Sequence, residues 1–361
     1  MSILKKQLNR LLTVSALSSF QLAGASWVAL LAARGFTLVE IGLAESCFHL
    51  ASLLFEVPSG VISDVFGRKK SMVLSQLMFV LSAIGMAFSN QLAGVCLALV
   101  LDAWGYNFAS GAREALAYDS MKEAGQADKY MDFSSRELSI YRLGNAAAIL
   151  CAGLALMIGH RAAYILDASL ALVGMLAACS LKEIQTEEKQ FEGTISGRIL
   201  RCFRESLAFL CANGESLALM LVNSLVGATA ILTVFFLQAR LSCVGVSNTL
   251  LGPALFVISL GGAVGARLSA QLSGLRFRSA AIMCMGGAML GVLFGVGQSA
   301  LLMCIGGFAA NFCSDALEVR TDAILNERFP SSQRSTLLSV ASLVFSLVMI
   351  VLSPLAGLAF G

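Results

Sequence analysis

Charge is scarce in this chain of 361 residues: Asp, Glu, Lys and Arg together make up 13% of it, against about a quarter in soluble globular domains. Proline occurs four times, histidine and tryptophan twice each. A soluble enzyme needs a charged surface, and this composition denies it one. No C-x-x-C pair occurs among the ten cysteines, and His49 and His160 are the only histidines, so a metal or disulfide framework lacks clustered ligands. The cysteines read as small packing residues. No G-x-x-x-x-G-K-[ST] loop is present, which disfavours an ATP-driven pump. Tyr118 and Asp119 stand together without the G-x-G-D partner of an intramembrane aspartyl protease, and no G-x-S-G context accompanies a serine, so no enzyme is expected. Neither a cofactor nor a nucleic-acid partner is implied.

What is present is hydrophobic length. Apolar residues make up 57% of the chain and the mean hydropathy is +0.81. The apolar runs continue for some twenty residues, enough for a helix to cross the hydrocarbon, instead of alternating in the ten-residue segments of a barrel. The composition therefore predicts an all-α polytopic membrane protein. Spans are expected near 12–33, 38–63, 71–89, 92–118, 138–158, 162–181, 214–239, 247–273, 279–297, 299–325 and 336–360, eleven in all. The opening Lys5, Lys6 and Arg10 with the run that follows imitate a secretory signal, but the apolar stretch reaches Ala33, long enough for an uncleaved span.

The polar stretch from Lys182 to Glu205 divides the spans into six and five. It predicts an amino-terminal bundle over 1–181, a cytoplasmic linker over 182–206 and a carboxy-terminal bundle over 207–361. Within the linker, GRILRCFRES suits either a helix lying on the anionic inner surface or a solvated connection. Of the 25 Lys and Arg, only Arg34, Arg161 and Arg240 fall outside when the amino end is placed inside, and Arg113, Arg142, Arg267 and Arg320 lie at or within spans. The remaining eighteen are inner, so a cytoplasmic amino terminus is expected. NFASGARE from Asn107 and NFCSDALE from Asn311 match at five of eight positions, in spans of the same ordinal position in each half. That is the trace of a parallel repeat.

Between the second and third spans runs GVISDVFGRKK, in which Gly60, Asp64, Gly67, Arg68 and Lys69 fill every specified position of G-x-x-x-D-x-x-G-R-K. This loop resembles the signature of the major facilitator superfamily, and EVPSG, REALAYDSM and RSTLLSVASL are similar to phrases of its bacterial members. The equivalent second-half loop, RLSAQLSGLRFR, has Gln271 at the Asp position. The resemblance implies two bundles of six helices, the second cut here to five, in an inner or plasma membrane, working as a monomer. It implies a small-solute or drug permease, coupled to protons and moving a cationic or lipophilic solute by alternating access. It further implies a conformational switch at the inner face, with Asp64 docked on the amino end of the eleventh span near Ser335 and Arg68 partnering Asp119. Two departures weaken drug antiport: Ala148 and Ile149 replace the central pair of the fifth-span antiporter motif between Gly144 and Gly153, and Asp102 stands where a fourth-span Arg is expected. Nutrient uptake and a non-transporting receptor or scaffold are the other classes weighed. The last is disfavoured because a scaffold gains nothing from charge held in lipid.

Ionisable residues within spans cost several kcal/mol and should face protein or water. Glu45, His49, Ser52, Glu56, Ser59 and Ser63 recur at helical spacing along one face, and Glu45, His49 and Glu56 are the candidates for proton coupling. At about 100° per residue, Asp102, Tyr106 and Arg113 share one face of the fourth span, and Asn107 with Glu114 a second. Asp315, Glu318 and Asp322 group on the tenth, with Asn311 above them, and Arg142 adds a base on the fifth. Ser335, Ser339, Ser342, Ser346 and Ser353 form a stripe on the eleventh. Ion pairs between helices, such as Arg113 with Asp102 or Arg320 with a neighbouring acid, are the plainer use of the same residues. A cavity lined by these acids favours cations and proton exchange, while Trp27, Trp104 and Tyr106 make no sugar-stacking pattern.

Overall fold

The computed structural model describes the chain except residues 1–2, 185–196, 198–199, 201–203, 205–212, 270–273 and 329–333, together with the side chains of 3 and 334–339. Seven of the ten residues of GRILRCFRES, the Gln271 position and the side chains of Ser335 and Ser339 thus lie outside the described residues. Among those described, regular structure is helical: α1 Ile3–Ser19, α2 Trp27–Ala33, α3 Leu38–Phe66, α4 Arg68–Phe88, α5 Leu92–Ala109, α6 Ala112–Glu123 and α7 Tyr130–Leu150. There follow α8 Ala152–Ile158, α9 His160–Cys179, α10 Gly214–Cys243, α11 Asn248–Leu268, α12 Phe277–Gly295, α13 Ala300–Arg328 and α14 Arg334–Phe360. Ten of the resulting segments are long and apolar enough to cross a membrane, and the pair around Cys151 makes an eleventh if its 50° bend lies within one span.

Three expected spans are interrupted. The first breaks between Ser19 and Trp27, where a 3₁₀ turn Gly24–Ser26 intervenes. The fourth breaks at Ser110–Gly111, and Gly111 adopts a φ of +71°, a conformation that costs a residue with a Cβ but not glycine. Residues on opposite sides of this break cannot be placed by one helical period, so the expected shared face of Asp102, Tyr106 and Arg113 is corrected here. The related segment in α13 runs unbroken, because Asp315 occupies the position of Gly111. The fifth span bends at Cys151 and starts earlier than expected, at Tyr130.

Helix starts are chemically marked where a loop is short. Before α3 the Thr37 N–H and hydroxyl both donate to Glu40 Oε2 at 2.8 Å while the Glu40 N–H donates to Thr37 Oγ1 at 3.2 Å. This reciprocal cap satisfies donors that the first turn leaves without partners.

The chain forms two compact units that interleave along the sequence. One comprises residues 1–25, 54–151 and 158–203. One apolar cluster in it joins Leu11 and Val14 of α1, Met72 of α4, Leu116 and Met121 of α6, and Phe133 of α7. The other comprises residues 26–53, 152–157 and 204–361. Here α11 and α12 pack on α13, with Val226, Ala281, Cys284, Ala288 and Leu317 in one buried cluster. The approach of α11 to α13 depends on missing side chains: a Cβ on Gly265 would stand 2.8 Å from the Phe312 carbonyl carbon, and one on Gly261 3.0 Å from that of Phe308. Small residues of this kind let membrane helices touch backbone to backbone.

Gly265→Ala should therefore push α11 from α13 and lower the melting temperature in detergent, at a cost of about 1–3 kcal/mol. Gly286→Ala, where an added Cβ meets nothing within 4 Å, is the control. Equal melting temperatures for the two variants would contradict the packing described.

Candidate functional site

In the second unit, the first half of α3 carries Glu45 and His49 one turn apart. His49 Nε2 lies 3.2 Å from Glu45 Oε1, and each residue is 8% exposed. Two aromatic edges enclose the imidazole: Phe48 and, from α14, Phe345 with ring centroids 5.7 Å apart. The next turn fixes α3 to the same helix, since Ser46 Oγ donates to the Ile350 carbonyl at 2.8 Å. A Cβ on Gly42 would meet the Ser353 carbonyl carbon at 2.8 Å. The pair is thus held in an apolar, closely packed setting. Glu56, the third member of the stripe, sits two turns on, half-buried, in the first unit, as do the buried Ser59 and Ser63.

The loop motif is built entirely within the first unit. Gly67 turns the chain with a φ of +104°, Arg68 starts α4, and the Arg68 guanidinium pairs with the Asp119 carboxylate of α6. A residue that sequence reasoning missed completes the arrangement. Glu183, just after α9, accepts from the Arg68 N–H at 2.9 Å and the Lys69 N–H at 3.0 Å, an anion capping the positive end of α4. Gly67 serves twice, because a Cβ there would press into the Glu183 carboxylate at 2.9 Å from Cδ. Gly60 and Asp64 lie on exposed faces of α3.

Arg113 does not reach for Asp102. Its ion pairs are to Glu137 of α7 and to Glu114, the latter at 3.1 Å. Glu137 is 7% exposed and was also missed, standing between Arg136 and Leu138 in a segment read as loop. Arg320 likewise finds a carbonyl, that of Leu275 at 2.8 Å, in place of the expected acid. On α13 the Asn311 amide donates to the Ile258 carbonyl at 3.1 Å, and Asp315 packs over Gly262, whose missing Cβ makes room for its carboxylate. Glu318 and Asp322 are exposed there, as is Arg142 on α7. Asp102 is half-buried on α5 and Asn107 buried, while Tyr106 remains 42% exposed with its ring edge on Phe79.

A third missed acid is Asp167, in the apolar run of α9. Its Oδ1 accepts the Leu22 N–H at 2.7 Å, and its Oδ2 accepts those of Ala23 at 2.9 Å and Gly24 at 3.1 Å. A single acid in a hydrophobic stretch has no periodic partner, so nothing in the sequence marks it as holding a break in another helix.

Helices of membrane-spanning length, interrupted along their course, with buried acids and bases at the interruptions, fit the class of polytopic transporters. The family model of the Major Facilitator Superfamily matches residues 11–294, and the chain belongs to that superfamily. It is similar to the uncharacterized MFS-type transporter YxaM of Bacillus subtilis (strain 168), 32% identical over 88 residues, a stretch covering 24% of this chain and 22% of that protein. Among solved structures it resembles the nucleoside transporter NupG in its D323A form, with a TM-score of 0.75 at 15% identity over 96% of this chain and 90% of that one. The D-xylose–proton symporter follows with a TM-score of 0.67 at 15% identity, over 97% and 87%. At that identity the likeness is one of fold.

Removing the cap by Glu183→Ala should cost about 1 kcal/mol. Arg68→Ala should cost more, because it strands a largely buried Asp119 carboxylate. In a double-mutant cycle on melting temperature, Arg68→Ala with Asp119→Ala should be less destabilising than the sum of the two single changes. Strict additivity would show that the pair contributes nothing.

Proposed function

We propose that the protein is a proton-coupled secondary transporter that moves a small solute by alternating access, with its amino terminus cytoplasmic in a plasma or inner membrane. The buried Glu45–His49 pair carries this reading. Among the described residues it sets an acid and a histidine 3.2 Å apart within an apolar enclosure, and its net charge changes by one when a proton arrives. Membrane-embedded ionisable groups are retained where they serve a pathway or a proton relay. Proton entry neutralises the pair, and a neutral pair tolerates the closely packed contact of α3 with α14. Loss of the proton disfavours that contact and biases the protein toward its other state.

Drug efflux is one form of this activity, supported by the phrases shared with bacterial permeases. Uptake of a polar nutrient is the second, supported by a neighbour titled a D-xylose–proton symporter and another titled a nucleoside transporter. Flux into reconstituted vesicles separates them. A symporter accumulates solute when the outside is made acid, whereas an antiporter does so when the lumen is acid.

Glu45→Gln and His49→Ala should abolish accumulation driven by a pH gradient while leaving downhill exchange of the solute measurable. Glu56→Gln takes over that phenotype if the proton uses the lower part of the stripe. Full accumulation in all three variants would remove the stripe from the mechanism.

We assign the loop of Gly60, Asp64, Gly67, Arg68 and Lys69, with Asp119, the role of conformational switch at the inner face. The support is the Arg68–Asp119 pair beside a helix start capped by Glu183, four residues after Asp64. Asp64→Asn should shift spin-label distances across the inner gate toward the open form and slow turnover. A change of 1–2 kcal/mol in the balance is roughly tenfold in population. Distances unaltered by both Asp64→Asn and Arg68→Ala would overturn this role.

A further inference from the structure

In the second unit, α12 and α13 are antiparallel neighbours joined by a short turn at residues 296–299, so positions counted equally far from that turn meet at one depth. Small residues let the two helices approach. A Cβ on Gly291 would stand 2.8 Å from that of Ala310, and one on Gly287 would run into Cys313 Sγ. Cys284 lies one turn before Gly287, and its thiol shares a hydrogen bond with that of Cys313 across the helix pair. Around the two thiols Val226, Ala281, Ala288 and Leu317 pack into one apolar cluster, in which Cys284 is 8% exposed and Cys313 half-buried. A cation stands beside them. Arg320 follows Cys313 by two turns on the same face of α13, taking about 100° per residue. Its Nη2 donates to the Leu275 carbonyl at 2.8 Å, whereas its Nη1 is buried and has no hydrogen-bond partner among the described residues. The charge of this guanidinium acts on Cys284.

We propose that Cys284 and Cys313 form a site for one soft monovalent metal ion of the copper(I) and silver(I) kind, held between the two sulfurs, with Arg320 as its countercharge. Binding replaces two S–H bonds by two S–metal bonds and releases two protons, with no change of oxidation state. Empty, the pair is neutral and packs as small apolar side chains. Loaded, two thiolates around a monovalent ion carry one net negative charge, which an apolar setting penalises and the guanidinium offsets. That balance selects the ion. A complex with divalent mercury and a disulfide are both neutral and draw nothing from Arg320, and a disulfide needs an oxidant besides. Thiolate ligands favour soft ions of this kind. Among the described residues no group of three or more His, Cys, Asp and Glu could hold a metal ion, so the four donors of a structural zinc site are not on offer. The site has no C-x-x-C spacing to announce it, because it exists only where two helices meet. A bound ion ties α12 to α13, and the proposal is independent of the solute and of proton coupling.

The test uses the full chain in detergent with silver nitrate in chloride-free buffer, and 2-mercaptoethanol in excess to strip ions from single cysteines. The native protein should retain one silver ion, release two protons on taking it up, and melt at a higher temperature when loaded. X-ray absorption should show two sulfur neighbours. Cys284→Ser and Cys313→Ser, which keep a small hydrogen-bonding group, should each abolish retention. Arg320→Leu leaves both thiols in place and should weaken silver roughly ten- to a hundredfold, the range for a group that supports metal ligands from outside. Arg320→Lys should recover part of that loss, and affinity for mercuric ion should change less in both Arg320 variants. The proposal is overturned if the native protein retains no silver, if either cysteine variant retains it as the native protein does, or if a disulfide joins Cys284 to Cys313 in the protein as isolated. Silver affinity unaltered by Arg320→Leu would overturn the countercharge.

Discussion

Within lipid no water relieves an unpaired polar group, so each N–H, carbonyl and charge of a spanning segment must find its partner in the protein. The interruptions of this fold are arranged around that constraint. Where α1 stops, Asp167 receives the stranded N–H groups; where α4 begins, Glu183 does the same; where the fourth span breaks at Gly111, Arg113 of the following turn is neutralised by Glu137 and Glu114. Asp167, Glu183 and Glu137 all come from outside the helix they serve. Local irregularity is thereby converted into tertiary fixation.

The same constraint links structure to transport. A continuous helix satisfies itself and has little reason to respond to a solute or a proton. A broken one has acceptors and donors whose partners can be exchanged, and a buried acid–base pair has a charge that depends on a proton. Asp167 and the acids around Arg113 belong to the first unit, and the Glu45–His49 pair to the second.

Much of this was legible in sequence. Hydropathy located most spans, though the first and fifth begin about eight residues before their expected starts, and G-x-x-x-D-x-x-G-R-K pointed to the loop in which Arg68 meets Asp119. The helical spacing of Glu45 and His49 placed them together on α3. What was not legible was of one kind: single residues that act across helices. Asp167 and Glu137 have no periodic partner, and Glu183 sits in a polar stretch where one acid resembles another. The break at Gly111 is hidden because glycine is common in membrane helices and turns the chain only where packing lets it. The bend at Cys151 has no proline to announce it. Helical-face arithmetic across Gly111 failed for that reason, assigning Arg113 to the face of Asp102 when its partners lie on α7 and beside it.

The central claim, that solute and proton move together through this chain, is tested most directly by watching the proton itself. Vesicles containing the purified protein and a luminal pH dye, with no gradient imposed, are given an inward gradient of the transported solute. The account predicts a luminal pH change that begins with solute entry, saturates with it, and is absent from vesicles carrying Glu45→Gln together with His49→Ala. Solute entry by the native protein at constant luminal pH would contradict it.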